Sequence, residues 1–210
     1  MNLLANKKYY IFDLDGTIID SAPEIISSIN EAFKSLDIFP ALPVTQNLIG
    51  PPINEIFNIL VANKDRNLVP DLIKVFINIY DNLYCSKSNL YEEVLNTLKV
   101  LNKKNKLLLV TNKRIKPTNI ILKHHKIHLL FDGIYSVDKN YEQSSTKANL
   151  LKYIIETKKL DSKKCIYIGD TLGDLESSQA NQIDFAYADW GYEDLNSKEL
   201  FMLNKFSDIL

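Results

Sequence analysis

Two pairs of acids stand where apolar runs break off. Tyr9-Tyr10-Ile11-Phe12 reads as a buried strand, and Asp13-Leu14-Asp15-Gly16-Thr17 follows it directly. Cys165-Ile166-Tyr167-Ile168 reads the same way and runs into Gly169-Asp170-Thr171-Leu172-Gly173-Asp174. Carboxylates at the end of a buried strand are costly unless a cation compensates them, and an all-oxygen donor set suits a hard divalent ion such as Mg²⁺. The spacing lets Asp170 reach a metal held by Asp13, while Asp174 starts the next helix as its N-cap. Gly16 lets the backbone pass close to a bound anion, and the Gly16 and Thr17 amides, with the Thr17 hydroxyl, could face a phosphate oxygen. Alone, the first loop is also an Asp-Gly turn and the second a turn plus a cap. Their joint presence, as two halves of one divalent site, favours the chemical reading.

A third loop of this kind follows Leu107-Leu108-Leu109-Val110, which ends in Thr111-Asn112-Lys113-Arg114. Ligands gather at the carboxyl ends of strands in open α/β sheets, so this run of hydroxyl, amide and cation is a candidate substrate loop. Thr111 could donate to a phosphoryl oxygen. Arg114, one of only two arginines in the chain, either clamps a substrate carboxylate or second phosphate in bidentate fashion or points into solvent at a helix start. Lys147 opens a helix where backbone amides already favour anions.

Asp13-Leu14-Asp15-Gly16-Thr17 resembles the first motif of the haloacid dehalogenase superfamily of phosphohydrolases, and Ile18-Ile19-Asp20-Ser21 is similar to its phosphoglycolate phosphatase-like branch. Gly169 to Asp174 resembles the superfamily's fourth motif, and Ile49-Gly50-Pro51-Pro52 a turn in the branch's helical cap. The resemblance implies an aspartyl-phosphate mechanism with Asp13 as nucleophile and Asp15 as general acid and base. It assigns Thr111 to the second motif and Lys147 to the third. It also implies Mg²⁺ as cofactor, held by Asp13, Asp170, Asp174 and the backbone carbonyl of Asp15. Ala148 stands where the branch more commonly has proline after the lysine, so Lys139 competes with Lys147. Asn181 replaces the usual glycine after Ala180, and asparagine tolerates that helix end. Trp190-Gly191-Tyr192 resembles the closing segment, with its aromatics expected to pack on the core edge.

The elements around these loops alternate strand and helix, which predicts a doubly wound, parallel, Rossmann-like α/β sheet. Residues 20–86 break that alternation. Ser21-Ala22-Pro23-Glu24 reads as a capping box opening a helix with Ile25, Ile29, Phe33 and Leu36 on one face. A second helix carries Ile53, Ile56, Phe57 and Leu60, and a third, from about Asp71 to Tyr84, carries Leu72, Val75, Phe76, Ile79 and Leu83. The expected division is an α/β core of 1–19 and 87–210 and an all-helical cap of 20–86. Placed just after the proposed nucleophile, such an insert makes sense as a lid that excludes water. Further helices are expected over Tyr91–Leu101 and from Pro117 to about His125.

Composition agrees with a small-molecule enzyme. The 210 residues are 46% hydrophobic and 24% charged with a net charge of −1, which offers no electrostatic case for nucleic acid or a membrane surface. Cys85 and Cys165 lack metal-type spacing and suit a reducing cytoplasm. No uncharged apolar run approaches the ~18 residues of a transmembrane helix. None of His124, His125 and His128 ends a strand, so none is expected to bind metal. The expected activity is Mg²⁺-dependent hydrolysis of a small phosphorylated metabolite, phosphoglycolate or a sugar phosphate, by a monomer or homodimer. The alternatives are a phosphomutase and a catalytically silent binding protein on the same fold.

Overall fold

Strand β1 (Tyr9–Phe12) is central to the sheet, and its side chains already divide the core in two. A computed structural model describes residues 3–139, 146–195 and 200–210. After β1 come β2 (Ile19–Asp20), α1 (Ala22–Ser35), α2 (Ile53–Leu60), α3 (Val69–Ile79), β3 (Asn89–Leu90) and α4 (Val94–Leu101). The chain continues with β4 (Lys106–Thr111), α5 (Ile115–His124), β5 (Gly133–Ser136), α6 (Lys147–Lys158) and β6 (Cys165–Gly169). It closes with α7 (Leu172–Ala180), β7 (Asp184–Ala188) and β8 (Phe201–Leu203).

Six strands form one parallel sheet in the order β5-β4-β1-β6-β7-β8. Tyr10 and Phe12 of β1, Leu107 and Leu109 of β4, and Ile166 and Ile168 of β6 pack on one face with α4 and α5. Ile11, Leu108, Val110, Cys165 and Tyr167 pack on the other with α6. Covering on both faces explains why these strands are continuous apolar runs instead of alternating ones. The fold is the expected doubly wound α/β core with an inserted helical subdomain. The chain builds outward from β1 through β4 to β5, then returns to β1's other side with β6. That reversal opens a crevice at the carboxyl ends of β1, β4 and β6, where Asp13, Thr111 and Asp170 lie.

The helical insert leaves and rejoins the core through a two-stranded antiparallel ribbon, in which Ile19 pairs with Leu90 and Asp20 with Asn89. Strands this short carry no legible periodicity. Because the Tyr91 amide extends the ribbon to Ile18 O and Glu93 takes a left-handed conformation (φ 64°), the following helix starts at Val94 instead of Tyr91.

The third cap helix also departs from the expected one. After Ile79 it widens into a π-helical turn over Tyr80–Tyr84, so the buried stripe passes through Phe76, Tyr80, Asp81 and Cys85. Leu83, expected inside, is exposed, and a carboxylate, Asp81, takes an interior place. The capping box at Ser21 does not form. The Ser21 hydroxyl instead donates to Asp15, and the Tyr192 hydroxyl, 171 residues away, accepts from the Ser21 amide at 2.6 Å and the Ala22 amide at 3.0 Å. Helix α5 starts at Ile115, two residues before Pro117, because the Asp138 carboxylate accepts from the Ile115 amide.

Phe12 is fully buried, stacked on Phe206 and edge-on to Phe131. Phe12→Ala should therefore cost about 3–5 kcal/mol, read as a lowered urea midpoint; a loss under about 1 kcal/mol would contradict this packing.

Candidate active site

Parallel pairing brings the strand ends level. Phe12 lies opposite Ile168 on one side and Leu109 on the other, so Asp13 and Asp170 leave adjacent strands within one residue of the same height. Asp13, Asp170 and Asp174 are all buried, and one carboxylate oxygen from each lies within 4.8 Å of the other two. Lys147, first residue of α6, reaches down with Nζ 3.1 Å from Asp13 Oδ1 and 2.5 Å from Asp174 Oδ1. Lys139, the competing lysine, is exposed.

Each acid has distinct company. Asp174 is saturated: its Oδ1 accepts from Lys147 and lies 3.0 Å from the Tyr167 hydroxyl, while its Oδ2 accepts from the Thr171 amide and hydroxyl. It is the third residue of α7 and not the N-cap, which is Thr171, because the two close a reciprocal capping box. Asp170 Oδ1 accepts from the Thr17 hydroxyl at 2.9 Å, and its Oδ2 from the Tyr192 amide at 2.9 Å. A Cβ on Gly16 (φ +76°) would sit 2.0 Å from Asp170 Oδ2, and one on Gly191 would sit 2.1 Å from Asp170 Cβ. The two glycines thus leave the space that Asp170 occupies.

Asp13 Oδ1 differs from these. It is buried, and although Lys147 is close, the ammonium is not directed at it in hydrogen-bonding geometry, so this oxygen has no hydrogen-bond partner among the described residues. Burial pushes the Asp13 carboxyl up to about 7; Asp174 and Asp15 add to the rise and Lys147 opposes it. Burial likewise raises Asp170 well above the usual carboxylate range, with Asp174 and Asp13 adding to it. Burial alone would pull the Lys147 ammonium down, but Asp13 and Asp174 more than reverse this, so Lys147 stays charged. Three buried carboxylates surround one ammonium, and one of their own oxygens, Asp13 Oδ1, is left without a hydrogen bond. An all-oxygen donor set with surplus negative charge fits Mg²⁺.

Asp15 stands apart from the cluster. Its Oδ1 lies 2.8 Å from Lys113 Nζ and also accepts from the Ser21 hydroxyl. Lys113 is buried; desolvation pulls its ammonium down, but Asp15 and Tyr80 together more than reverse this. In the sequence this lysine is only one cation of the β4 loop; its signal is its place two residues after Thr111.

The remaining candidates each take a partner within the protein. The Thr17 hydroxyl serves Asp170, and the amides of Gly16 and Thr17 bond to Ile19 O and Leu14 O, because the loop folds back on itself instead of presenting its amides outward. Asn112 donates to Gly50 O of the cap at 3.2 Å. Arg114 neither points into solvent nor stands free to clamp a substrate; its guanidinium grips Asp81 of the π-helical turn through both carboxylate oxygens. Thr111 is buried at the end of β4, its Oγ1 accepting from the Lys113 amide. Tyr192 does more than pack: its hydroxyl caps α1 and its amide holds Asp170. Within the described residues no helix is long and apolar enough to cross a membrane.

The model of the haloacid dehalogenase-like hydrolases matches residues 10–188, nearly the whole chain and all four loops. The chain belongs to this family. Within it the chain falls in the phosphoglycolate phosphatase-like branch. It is 30% identical to the phosphoglycolate phosphatase of Aquifex aeolicus over 95% of this chain and 93% of that one. It is 25% identical to the tyrosine-protein kinase PtkA of Mycobacterium tuberculosis over 87% of this chain and 62% of that one. A haloacid dehalogenase-like family hydrolase of Streptococcus pneumoniae superposes with a TM-score of 0.80 over 90% of this chain and 88% of that one, at 23% identity.

Without the ion, the folded protein binds the Asp13 proton more tightly than the unfolded chain. That contribution to stability is complete below the ordinary carboxyl value of 3.8 and is lost as pH rises through about 7. Mg²⁺ added to EDTA-treated protein above pH 7 should restore it, raising Tm by about 5–10 °C at a hundredfold excess over Kd. Asp170→Asn should lose most of that shift; an equal shift in the variant would remove Asp170 from the metal site.

Proposed function

We propose that this hydrolase is a Mg²⁺-dependent phosphatase that releases phosphate from a small phosphorylated metabolite, a sugar phosphate or phosphoglycolate, through a phosphoaspartate on Asp13. The observation that carries this reading is the division between two acids two residues apart. Asp13 is turned into the carboxylate cluster beside Lys147, whereas Asp15 is turned to Lys113 and Ser21 and lines the cavity beneath the cap. A nucleophile and a proton carrier need that separation of environments.

In this mechanism an Asp13 oxygen attacks phosphorus in line as the bond to the leaving oxygen breaks, and Asp15 gives that oxygen its proton. Asp15 then takes a proton from water, whose oxygen attacks the phosphoaspartate, freeing phosphate and restoring Asp13. Lys147, held by Asp174, keeps a fixed positive charge beside Asp13, and Thr111 donates to a phosphoryl oxygen. Mg²⁺, held by Asp13, Asp170 and the Asp15 carbonyl, would neutralise charge on the transferring group. Asp174, its oxygens already engaged, acts through Lys147. A phosphomutase would pass the same phosphoryl group to a sugar, and a silent binding protein would release none.

Phosphate release from a panel of small phosphoesters, with no acceptor sugar and with EDTA controls, separates these readings. Asp13→Asn should abolish Mg²⁺-dependent release while leaving the far-UV spectrum unchanged; retained turnover would discard the nucleophile. Asp15→Asn should slow release by about 10²–10⁴-fold and leave acid-stable label on the protein after a pulse of labelled substrate. A variant that still turns over at the wild-type rate would take Asp15 out of proton transfer.

A further inference from the structure

Resting on the phosphatase reading, we propose that the substrate's leaving group is an uncharged hydroxylated alcohol, as in a polyol or sugar phosphate, and not a carboxylate-bearing one such as glycolate. The geometry of the cavity between cap and core carries this inference. Asp15, the proton donor to the leaving oxygen, lines it, so the leaving group lies there. Its cap wall is apolar, built from Ile25 of α1, Ile49, Ile53 of α2 and Phe76 of α3. Two cations, Lys113 and Arg114, also line it.

Neither cation is available to a substrate carboxylate. Lys113 is buried and held 2.8 Å from Asp15 and over the Tyr80 ring. Arg114 is held through both nitrogens of its fork by Asp81, whose side chain is 1% exposed. Drawing Arg114 away would leave Asp81 buried with only the exposed Lys116 ammonium, 3.4 Å off, and stranding a buried charge is strongly unfavourable. A carboxylate entering this cavity would thus lose its hydration without gaining a free partner.

One neutral polar group is unclaimed. Tyr80 lines the cavity and is 2% exposed, with its ring stacked on Phe76 and Lys113 Nζ 4.8 Å from the ring centre. Its hydroxyl, near Lys113 and Ser88, makes no hydrogen bond of proper geometry among the described residues. Burial pushes the phenol up to about 12, so it remains a neutral donor and acceptor. An unpaired buried hydroxyl beside an apolar wall matches a carbon chain that carries its own hydroxyl.

The matched pair of 2-hydroxyethyl phosphate and 2-phosphoglycolate, which differ only in an alcohol against a carboxylate, tests this. Wild-type kcat/KM should favour 2-hydroxyethyl phosphate by at least about tenfold. Asp81→Asn, which releases the guanidinium, should shift that ratio toward phosphoglycolate by about tenfold or more. Should that variant fold poorly, the double replacement of Arg114→Gln with Asp81→Asn should lower both substrates equally, within about twofold. A wild-type preference for phosphoglycolate, or a loss in the double variant confined to it, would overturn the uncharged leaving group while leaving the phosphatase intact. Absence of Mg²⁺-dependent release from both esters and from p-nitrophenyl phosphate would overturn the phosphatase reading and this inference with it.

Discussion

Mutual repulsion among three buried carboxylates is the constraint around which the crevice is arranged. Asp13 and Asp170 end neighbouring strands, and Asp174 lies one helical turn beyond. Nothing in the hydrophobic core compensates such charge, so each acid is met by a group from elsewhere in the chain. Lys147 comes from α6, the Thr17 hydroxyl from the loop after β1, and the Tyr192 amide from the segment after β7. The partners of Asp170 and Asp174 satisfy them as hydrogen-bond acceptors; those of Asp13 do not. The site thus stores an imbalance at Asp13, the acid proposed as nucleophile.

Asp15 belongs to a different electrostatic unit, although a single residue separates it from Asp13. Its partners, Lys113 and Ser21, belong to the β4 loop and to the mouth of the cap. Lys113 in turn lies beneath the Tyr80 ring, which the cap supplies. The surroundings of Asp15 are therefore set partly by the insert, and those of Asp13 wholly by the core. Under the proposed mechanism the insert's position would thus bear on the proton carrier.

Much of this was legible in the sequence for a physical reason. Asp13, Asp15, Asp170 and Thr111 each follow an unbroken apolar run, and a strand buried on both faces leaves polar groups only at its ends. What escaped notice depends on contacts between distant segments. Tyr192 capping α1, Lys113 reaching Asp15 in preference to Arg114, and the hydroxyl of Thr17 turning inward have no local signature. The π-helical turn escaped because one extra residue shifts the phase of a periodic pattern without changing its composition. That shift exposed Leu83 and buried Asp81. The capping box failed for a related reason: Ser21 had a more demanding partner in Asp15.

The cap's attachment to the core follows the same electrostatic logic. Apolar packing within the insert, Phe33 on Phe57 and Phe57 on Phe76, fixes its internal shape and is continuous with the core beneath it. Directional polar links add to its placement: Arg114 to Asp81, and Asn112 to Gly50 O. Hydrophobic contact tolerates sliding, whereas a two-pronged guanidinium–carboxylate pair specifies both distance and angle. Breaking such a pair at a buried carboxylate costs on the order of 3–5 kcal/mol, enough to hold one arrangement against many. The arginine that sequence alone made the candidate for gripping substrate thus grips the insert itself.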